Sequence, residues 1–504
     1  MDASQSRRLS AREFATLVLD EGSFQPLPAH PTTTDDPGYR AELEAAGERS
    51  GEQEAVLAGT GLLDGQAVVL VAGEFGFLGG SLGRAGGGGL LEAVELATER
   101  RLPLLAAPCS GGTRMQEGTP ALVQMVKVAQ AVSRHRREGL PYLVHMRHPT
   151  TGGVLASFAS LGQWTSAEPG ALVGFLGPRV QEVVAGERLP DGVQRAENLA
   201  RVGVIDAVLP HDQVREVWGR FIGTWQDSDA LRGSCGSPER ANPPRNEAAV
   251  RVDAWQAVQA SRQSGRPGAM DLVAACGQDA VWLSGTGDGQ VDNTTRVGMM
   301  RLSGQPCLVV AHDRESDGRH PLGPAALRTA QRGFTMAAEL GLPVVTLIDT
   351  PGADISVEAE EHALCGEIAR CTAMLSDLPV PTLSVVVGRG TGGATLALLP
   401  ADRTLCAANG WVAPLPPEGA SAIIHRTADR ADEMARSHRI GAHDLVEAGI
   451  VDEVIAEPAL LDEAGAADFC GRMGEAIGRN LAELRAQDAA QRLERRRTRL
   501  RSFG

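Results

Sequence analysis

Short apolar runs, each followed by a glycine-rich turn and then by a segment of helical period, recur along the chain. Residues 104–108 (LLAAP) lead into the turn CSGG at 109–112, and residues 344–348 (VVTLI) lead into DTPG at 349–352. A run of this length predicts one buried strand, and the periodicity after each turn predicts a helix. Alternating strands and helices are typical of the α/β class, in which ligands bind at the carboxyl ends of strands.

The same order of motifs occurs twice, which indicates an internal duplication. Each half has a second glycine turn about 40 residues after its first, PTTGGV at 149–154 and GTGGA at 390–394. Each half also closes on one of two similar segments, GVIDAVL at 203–209 and GIVDEVI at 449–455. The paired motifs are 240–246 positions apart, so the repeated unit is a whole domain.

We therefore predict two α/β domains, at residues 1–222 and 267–504, joined by a linker at 223–266. The linker is predicted from its Ser, Pro, Gly and Arg content, with one helix at 250–262. Residues 460–504 are predicted to form a charged helix on the outside of the domain or against a neighbouring molecule. The basic run at 495–501 is predicted to be a solvated face of that helix.

Three local patterns in the first domain carry structural predictions. The dipeptide Asp64-Gly65 between alternating apolar runs predicts a hairpin. Residues 74–89 hold eight glycines, which predicts backbone lying against a ligand, or a flexible surface loop, rather than the interior of a helix. After Gln116 an apolar stripe predicts a helix with one face in the core, formed by Ala121, Leu122, Met125, Val126 and Ala129.

Charge and lysine content exclude several classes of function. The net charge of −15 and the pI near 5.3 argue against a nucleic acid or an anionic membrane as a partner. Lys127 is the only lysine, which excludes a Walker-type phosphate loop, since that loop needs a lysine directly after its glycines. Lys127 lies in a helical segment and not in an exposed hairpin, so we expect no covalently attached biotin or lipoate. Any swinging-arm cofactor must come from a partner.

Cysteine and histidine spacing predicts no metal site. The eight cysteines contain no CxxC pair, and no carboxylate or cysteine spacing supports a site at His135, His145 and His148. Residues 1–20 lack a long apolar core, and no run of 18 apolar residues occurs. We therefore expect no secretory signal and no membrane span, and a cytoplasmic location.

The glycine turns are the candidate chemistry. They contain no consistent nucleophile, base and orienting group, and the GxSxG pattern of serine hydrolases is missing around Ser110. The backbone N–H groups of two glycine turns can form one oxyanion hole in each half. Two holes without a side-chain base suit the transfer of carbon dioxide between two carbonyl compounds. One hole would stabilise an enolate oxygen, and the other would stabilise a ureido oxygen as its N-carboxyl group departs.

The motifs resemble the carboxyltransferase component of bacterial acetyl-CoA carboxylase, in the biotin-dependent acyl-CoA carboxyltransferase family. SGGTRMQEG, PTTGGVLASFA and AEPGALVGFLGPRVQE are similar to its β subunit, and LPVVTLIDTPGADISVEAEE, GRGTGGA and PPEGASAII to its α subunit. The resemblance covers most of residues 20–210 and 325–458. It implies a natural β–α fusion with two crotonase-like domains of the ββα-spiral type. It also implies that carboxybiotin and acetyl-CoA give malonyl-CoA, for fatty acid biosynthesis.

The resemblance also implies site residues and partners. The implied catalytic donors are Gly111, Gly112, Gly152 and Gly153 on the acyl-CoA side, and Gly352, Ala353, Gly392 and Gly393 on the carboxybiotin side. The candidates for substrate binding are Gly79, Gly80, Arg114, Thr151, Thr391 and Ala394. Carboxybiotin is expected from a separate biotin carboxyl carrier protein, which a biotin carboxylase loads. The family pattern places the site between a β-like and an α-like half of different protomers, so at least a homodimer is expected.

Several positions depart from the family pattern, and other functions stay open. The four-cysteine zinc ribbon of many β subunits is absent, and His148 and Arg389 stand where acidic or glycine-rich patterns are usual. One alternative is a biotin-independent decarboxylase of malonyl-CoA or another acyl-CoA. Another is a carboxyltransferase for a different acyl-CoA, such as propionyl-CoA. A third is a non-catalytic scaffold, which would require Arg389 or Trp411 to block the turns.

Overall fold

The computed structural model describes residues 8–177, 189–233, 251–314, 321–458 and 462–499. The chain divides into two compact units, Met1–Ile222 and Gly223–Gly504. Each unit is built on a sheet that begins with three antiparallel strands and continues with parallel ones. The two sheets repeat the same order of strands, which confirms the predicted α/β class and the internal duplication.

The first unit contains the sheet β1-β2-β3-β4-β5-β7-β9 and a separate parallel pair, β6 and β8. Its strands are β1 (Gln25–Pro26), β2 (Val56–Leu63), β3 (Gln66–Gly73), β4 (Leu104–Ala107), β5 (Tyr142–Met146), β6 (Thr150–Thr151), β7 (Trp164–Ala167), β8 (Val173–Gly174) and β9 (Ala207–Val208). Its helices are α1 (Ala11–Val18), α2 (Pro37–Ser50), α3 (Arg84–Glu99), α4 (Thr119–Arg137), α5 (Gly152–Leu155) and α6 (Ala196–Arg201), after which α7 (His211–Gly233) follows.

The second unit contains the sheet β10-β11-β12-β13-β14-β15-β17, with β16 paired to β14. Its strands are β10 (Gly277–Leu283), β11 (Thr295–Leu302), β12 (Gln305–His312), β13 (Val344–Thr350), β14 (Thr382–Thr391), β15 (Arg403–Ala407), β16 (Trp411–Ala413) and β17 (Glu453–Ile455). Its helices are α8 (Ala254–Ser261), α9 (Ala269–Cys276), α10 (Pro324–Leu340), α11 (Val357–Glu361), α12 (Leu364–Asp377), α13 (Gly392–Leu398), α14 (Pro417–His425), α15 (Ala431–Ser437), α16 (Ala442–Glu447), α17 (Glu463–Arg485) and α18 (Ala489–Arg499).

Each sheet begins with a hairpin that has the same turn geometry. Asp64 and Gly65 have φ angles of 50° and 79° between β2 and β3, as the dipeptide predicted. Ser303 and Gly304 have φ angles of 49° and 75° between β11 and β12. Two consecutive residues with positive φ match the right-handed twist of the flanking strands. The second hairpin is therefore a further match between the two halves.

The glycines of residues 84–89 lie inside a helix, which the sequence did not predict. Helix α3 includes Gly86, Gly87, Gly88 and Gly89. A Cβ atom on Gly87 would lie 2.5 Å from the Cβ of Gln124 on α4, so glycine permits the close approach of these two helices. Tertiary packing thus outweighs the low helix propensity of this segment.

Helix α4 buries a different face from the predicted one. Leu122 and Val126 are 53% and 55% exposed, whereas Ala121 and Met125 are buried as predicted. The buried line continues through Val128 and further along the helix. Spacings of three and four residues from Ala121 keep this line on one face, and Leu122 and Val126 lie about 100° away from it.

Much of the predicted linker belongs to regular structure. Helix α7 continues to Gly233, and Thr224 and Ser228 on it are buried. Helix α8 lies within the predicted helix at 250–262, and its Val258 packs in an apolar cluster with Trp411. Helix α7 therefore extends into the predicted linker, whereas α8 confirms the helix predicted at 250–262, and residues 234–250 lie outside the described residues.

The C-terminal segment is also more buried than its charge indicates. It forms two helices, and Phe469, Met473 and Ile477 of α17 lie in the core of the second unit. On α18 the Arg496 side chain is only 2% exposed and forms a 2.7 Å ion pair with Asp402. The predicted solvated basic face is therefore wrong for Arg496, whereas Arg495 and Arg497 are exposed as predicted. A buried carboxylate can hold an arginine inside a protein when both groups are paired.

Candidate active site

The first glycine turn of the first unit follows β4 and is held by the Ser110 side chain. The Ser110 Oγ accepts the N–H of Gly112 at 3.0 Å and donates to the Gly112 carbonyl oxygen at 3.3 Å. Thr350 does the same in the second unit, with 3.2 Å from the Gly352 N–H and 3.1 Å to the Gly352 oxygen. Ser110 is therefore a turn-forming residue, and this repeated contact was not found from the sequence.

The second turn packs directly on the first in each unit, as the paired motifs predict. A Cβ atom on Gly152 would lie 3.0 Å from the Gly112 Cα, and the φ of Gly152 is 64°, where side chains are disfavoured. The N–H of Thr151 also donates to the Ser110 oxygen at 3.0 Å. In the second unit a Cβ on Gly352 would contact the Thr391 side chain at 3.8 Å.

Three of the predicted donors in the first unit already have acceptors within the protein. The N–H groups of Gly111 and Gly152 donate to the oxygens of Gly79 and Phe175, each at 2.9 Å, and that of Gly112 donates to Ser110. Within the described chain no acceptor is found for the N–H groups of Thr113 and Gly153. A Cβ on Gly153 would lie 2.7 Å from the Thr113 Oγ1, so these two donors are neighbours.

In the second unit too, some of the predicted N–H donors already have acceptors within the protein. The N–H of Gly352 is taken by Thr350, and that of Gly392 is engaged where Thr391 pairs with Ala413 in the parallel β14–β16 ladder, whereas among the described residues none accepts from Ala353 or Gly393. Gly393 belongs to the first turn of α13, where N–H groups lack intrahelical acceptors. Among the described residues, the donors without an acceptor are therefore Thr113 and Gly153 in one unit and Ala353 and Gly393 in the other; we call these the free donors. The sequence did not predict Thr113 as a donor. Its equivalence to Ala353 becomes visible only in the structure, where Thr113 bridges to Leu82 and Ala353 bridges to Leu322 in the same way.

The remaining residues predicted to bind substrate mainly support the turns. Gly80 lies so close to the first turn that a Cβ there would overlap the Cys109 oxygen, and Gly79 accepts the N–H of Gly111. The side chains of Thr151, Thr391 and Ala394 are buried. A ligand contact at these three positions would therefore have to come from the backbone.

Arg114 is placed differently from its predicted role. Its guanidinium is fully buried and pairs with Glu54 through contacts of 2.9 and 2.7 Å. It also donates to the Ser81 oxygen at 2.7 Å. Because both terminal nitrogens are engaged inside the protein, Arg114 ties the first turn to neighbouring segments and does not face a ligand.

The side chains around the turns supply positioning and no activated nucleophile. Burial raises the pKa of the Cys109 thiol to about 11, so this thiol stays protonated at neutral pH, and it donates to the His148 oxygen at 3.0 Å. The Arg389 guanidinium forms an ion pair with the Asp349 carboxylate, with 3.4 Å between Nε and Oδ1. The Trp411 indole is buried and donates to Ser261 at 2.9 Å. These positions do not support the blocked turns that a scaffold would require.

The described ranges show neither a metal-ligand cluster nor a membrane-spanning helix. They contain no group of three or more His, Cys, Asp or Glu side chains arranged to hold a metal ion. None of the helices described is long and apolar enough to cross a membrane.

Comparison with known proteins shows similarity over the whole chain. The model of a family described as acetyl co-enzyme A carboxylase carboxyltransferase-like matches residues 238–504. A probable biotin-dependent acyl-coenzyme A carboxylase beta3 subunit of Mycobacterium tuberculosis is 46% identical and covers 99% of both chains. The acetyl-coenzyme A carboxylase carboxyl transferase subunits beta/alpha of Saccharopolyspora erythraea are 36% identical over 100% of this chain and 90% of that protein.

Solved structures show the fold. A transcarboxylase 12S structure aligns with a TM-score of 0.73 and 21% identity, over 94% of this chain and 89% of that one. A single-chain, multi-domain long-chain acyl-CoA carboxylase aligns with a TM-score of 0.69 and 19% identity, over 93% of this chain and 46% of that one. The expected crotonase-like fold is thereby confirmed. Together with the sequence relatives, it establishes that the chain belongs to the carboxyltransferase family of biotin-dependent acyl-CoA carboxylases.

Proposed function

We propose that the protein transfers the carboxyl group of carboxybiotin, presented by a separate carrier protein, to acetyl-CoA and so forms malonyl-CoA. Membership of the family supports biotin-dependent acyl-CoA carboxyl transfer. The observation that carries the proposal is the paired set of backbone donors that find no acceptor among the described residues, Thr113 with Gly153 and Ala353 with Gly393. Each pair offers neutral donors to a developing oxyanion without a side-chain base.

In this proposal each pair of donors serves one oxyanion. The N–H groups of Thr113 and Gly153 donate to the thioester oxygen of acetyl-CoA as it becomes an enolate. Those of Ala353 and Gly393 donate to the ureido oxygen, which gains charge as the N–C bond to the carboxyl group breaks. The ureido nitrogen takes the acyl α-proton, and the acyl α-carbon forms the new C–C bond to carbon dioxide. The protein contributes orientation and electrostatic stabilisation.

A separate carrier protein is supported by the position of the single lysine. Lys127 lies within α4, a continuous helix from Thr119 to Arg137. A biotinyl lysine needs an exposed turn that a biotin ligase and a distant site can both reach, and a helix interior does not offer one. We therefore include a biotin carboxyl carrier protein and a biotin carboxylase among the partners.

The most specific part of the proposal is the identity of the acyl-CoA substrate. The Saccharopolyspora relatives are named for acetyl-CoA, whereas the Mycobacterium relative is named for an unspecified acyl-CoA. Acetyl-CoA is our first candidate, with propionyl-CoA as the nearest alternative. A natural β–α fusion is supported by the beta/alpha relatives, which this chain matches along its full length.

The reverse half-reaction tests this function. We expect purified protein to convert malonyl-CoA to acetyl-CoA when biocytin is present, and not in a biocytin-free control. The same assay with methylmalonyl-CoA compares the propionyl alternative. Turnover that does not need biocytin would contradict carboxyl transfer and favour a decarboxylase. No turnover with either thioester would contradict the proposed substrates.

We also propose that the protein is a homo-oligomer, because each unit exposes apolar side chains. On α4 Leu122, Val123 and Val126 are 45–55% exposed, and on α14 Ile423 and Ile424 are 69% and 55% exposed. Neighbouring exposed apolar side chains of this kind mark association surfaces. A second copy of the chain is the occupant we propose, since most soluble oligomers are symmetric homo-oligomers.

Replacing Leu122 and Val126 together by aspartate is expected to shift the protein to a smaller species. The physical reason is that two charges would have to be desolvated in a dry interface. Sedimentation velocity measures the species, and far-UV circular dichroism checks that the fold is kept. A wild-type monomer, or an unchanged sedimentation coefficient in the double variant, would contradict this surface.

A further inference from the structure

We propose that Glu168 is a positioning residue for the first donor turn, and this inference rests on the carboxyl transfer proposed above. Glu168 directly follows β7, and its Oε1 accepts the N–H of His148 at 2.6 Å. His148 opens the segment that runs through β6 to the free donor Gly153. A hydrogen bond from a backbone N–H to a carboxylate is charge-assisted and stronger than a neutral one.

The loop that begins at Glu168 is joined to this segment at further points. The N–H of Glu168 donates to the Met146 oxygen at 3.0 Å, at the end of β5. The N–H of Leu172 donates to the His148 Nδ1 at 3.0 Å, and the N–H of Thr150 donates to the Leu172 oxygen at 2.9 Å. Glu168 therefore anchors one end of a pair of segments that are bonded to each other up to the donor turn.

A line of hydrogen-bonded side chains, of which His145 and Ser166 are buried, fixes the orientation of the Glu168 carboxylate. Its Oε2 pairs with the Nε2 of His211, at the start of α7. The Nδ1 of His211 lies 3.1 Å from the Nε2 of His145, and the Nδ1 of His145 lies 2.9 Å from the Ser166 Oγ. Burial holds the pKa of His145 well below its ordinary value, with the nearby charges of His211 and Arg147 adding to the effect. His145 is therefore neutral and links Ser166 to His211 by hydrogen bonds.

The Glu168 carboxylate itself stays charged at neutral pH. Burial alone would raise its pKa, but the His211 hydrogen bond and charge, the His148 N–H and the Arg147 charge outweigh burial and lower the pKa. Its side chain is 18% exposed, so the interaction is only partly screened by solvent. An ionised and oriented acceptor is what a fixed backbone anchor requires.

The second unit uses the same device with a carboxylate from another element. Asp349, at the end of β13, is buried, and its Oδ1 accepts the N–H of Arg389 at 3.1 Å. Arg389 lies on β14 just before Thr391 and the donor Gly393. A carboxylate thus holds the backbone at the entrance of the second turn in both units, although the two carboxylates occupy different places in the chain. The repetition indicates that each donor turn needs its preceding backbone held in place by a carboxylate.

Positioning matters because the donors act only at the right distance. A misplacement of about 1 Å can cost about 10²-fold in rate. Glu168→Ala removes the anchor, whereas Glu168→Gln keeps an oxygen that can accept the His148 N–H. Glu92→Gln is a matched control, because Glu92 also pairs with a histidine, His30, at 3.0 Å, but both side chains are 55% exposed.

The experiment combines kinetics with amide hydrogen exchange on the purified full chain. With malonyl-CoA and biocytin, we expect Glu168→Ala to lower kcat by at least about tenfold with little change in the KM for malonyl-CoA. Glu168→Gln should recover most of that loss, and Glu92→Gln should match the wild type. In Glu168→Ala, exchange should rise locally in peptides covering residues 147–156.

Three results would overturn the inference. They are an unchanged kcat in Glu168→Ala, an unchanged exchange at residues 147–156, and an equal rise in exchange throughout the first unit, which would show general destabilisation. If the wild type transfers no carboxyl group, the proposed function fails separately. The exchange comparison then still decides whether Glu168 anchors the turn.

Discussion

Replacing Gly393 by proline is expected to lower turnover about 10²–10³-fold, the usual effect of removing one oxyanion-hole donor. Gly393 lies in the first turn of α13, and no acceptor for its N–H is found in the described parts of the chain. Proline is tolerated in the first turn of a helix, so the variant should fold. The reverse half-reaction with malonyl-CoA and biocytin measures the change in kcat.

Gly393→Ala is the matched control for this variant. Its Cβ would lie 2.8 Å from the Cδ1 of Ile368, at the flexible end of that side chain, which can move aside. Both variants place a carbon there, but only proline removes the N–H. We expect the alanine variant to keep most of the activity. Equal activity of Gly393→Pro and Gly393→Ala would contradict a donor role for this N–H.

Removing the carboxylate of Glu54 is expected to destabilise the first unit by about 3 kcal/mol, because a buried arginine loses its nearest carboxylate. Glu54 is 3% exposed and binds the fully buried Arg114 with both oxygens. Glu54→Ala would leave that buried guanidinium with only the longer 3.5 Å contact to the Glu117 carboxylate. Urea unfolding followed by far-UV circular dichroism measures the change in the free energy of unfolding.

The double variant Glu54→Leu with Arg114→Met separates charge from packing. Replacing both partners of a buried ion pair by apolar residues of similar volume is often neutral or stabilising. We therefore expect the double variant to recover most of the stability lost in Glu54→Ala. If Glu54→Ala unfolds at the wild-type urea concentration, the pair does not carry the stability that its burial indicates.

Local patterns predicted the elements that depend on neighbouring residues. The Asp64-Gly65 turn forms where the sequence placed it, and so do the strand before Cys109 and the strand that begins at Val344. The contact between Gly112 and Gly152 also follows from the sequence, since the ends of adjacent parallel strands meet at one edge of a sheet. Run length, helical period and turn chemistry are short-range properties, so a sequence shows them directly.

Contacts between distant segments changed the predictions that depended on them. The run of four glycines lies within α3, and the packing of Gln124 on α4 explains the glycine at position 87. Arg496, predicted to be solvated, is buried because it pairs with Asp402. The sequence alone does not show this pair, since the two residues are 94 positions apart in the chain. Leu122 is exposed because α4 buries the face that carries Ala121, Met125 and Val128.

The sequence by itself determined the family, the duplicated α/β design and the two glycine turns in each half, because these depend on local patterns repeated at one offset. Only the tertiary structure decided which N–H groups remain free. Gly111 and Gly152 lose theirs to the oxygens of Gly79 and Phe175, which approach from remote segments. The same long-range packing gives Thr113 and Gly153 no acceptor within the part of the chain that the structure describes, and a hydrogen-bond donor can serve a ligand only if the fold has not already used it.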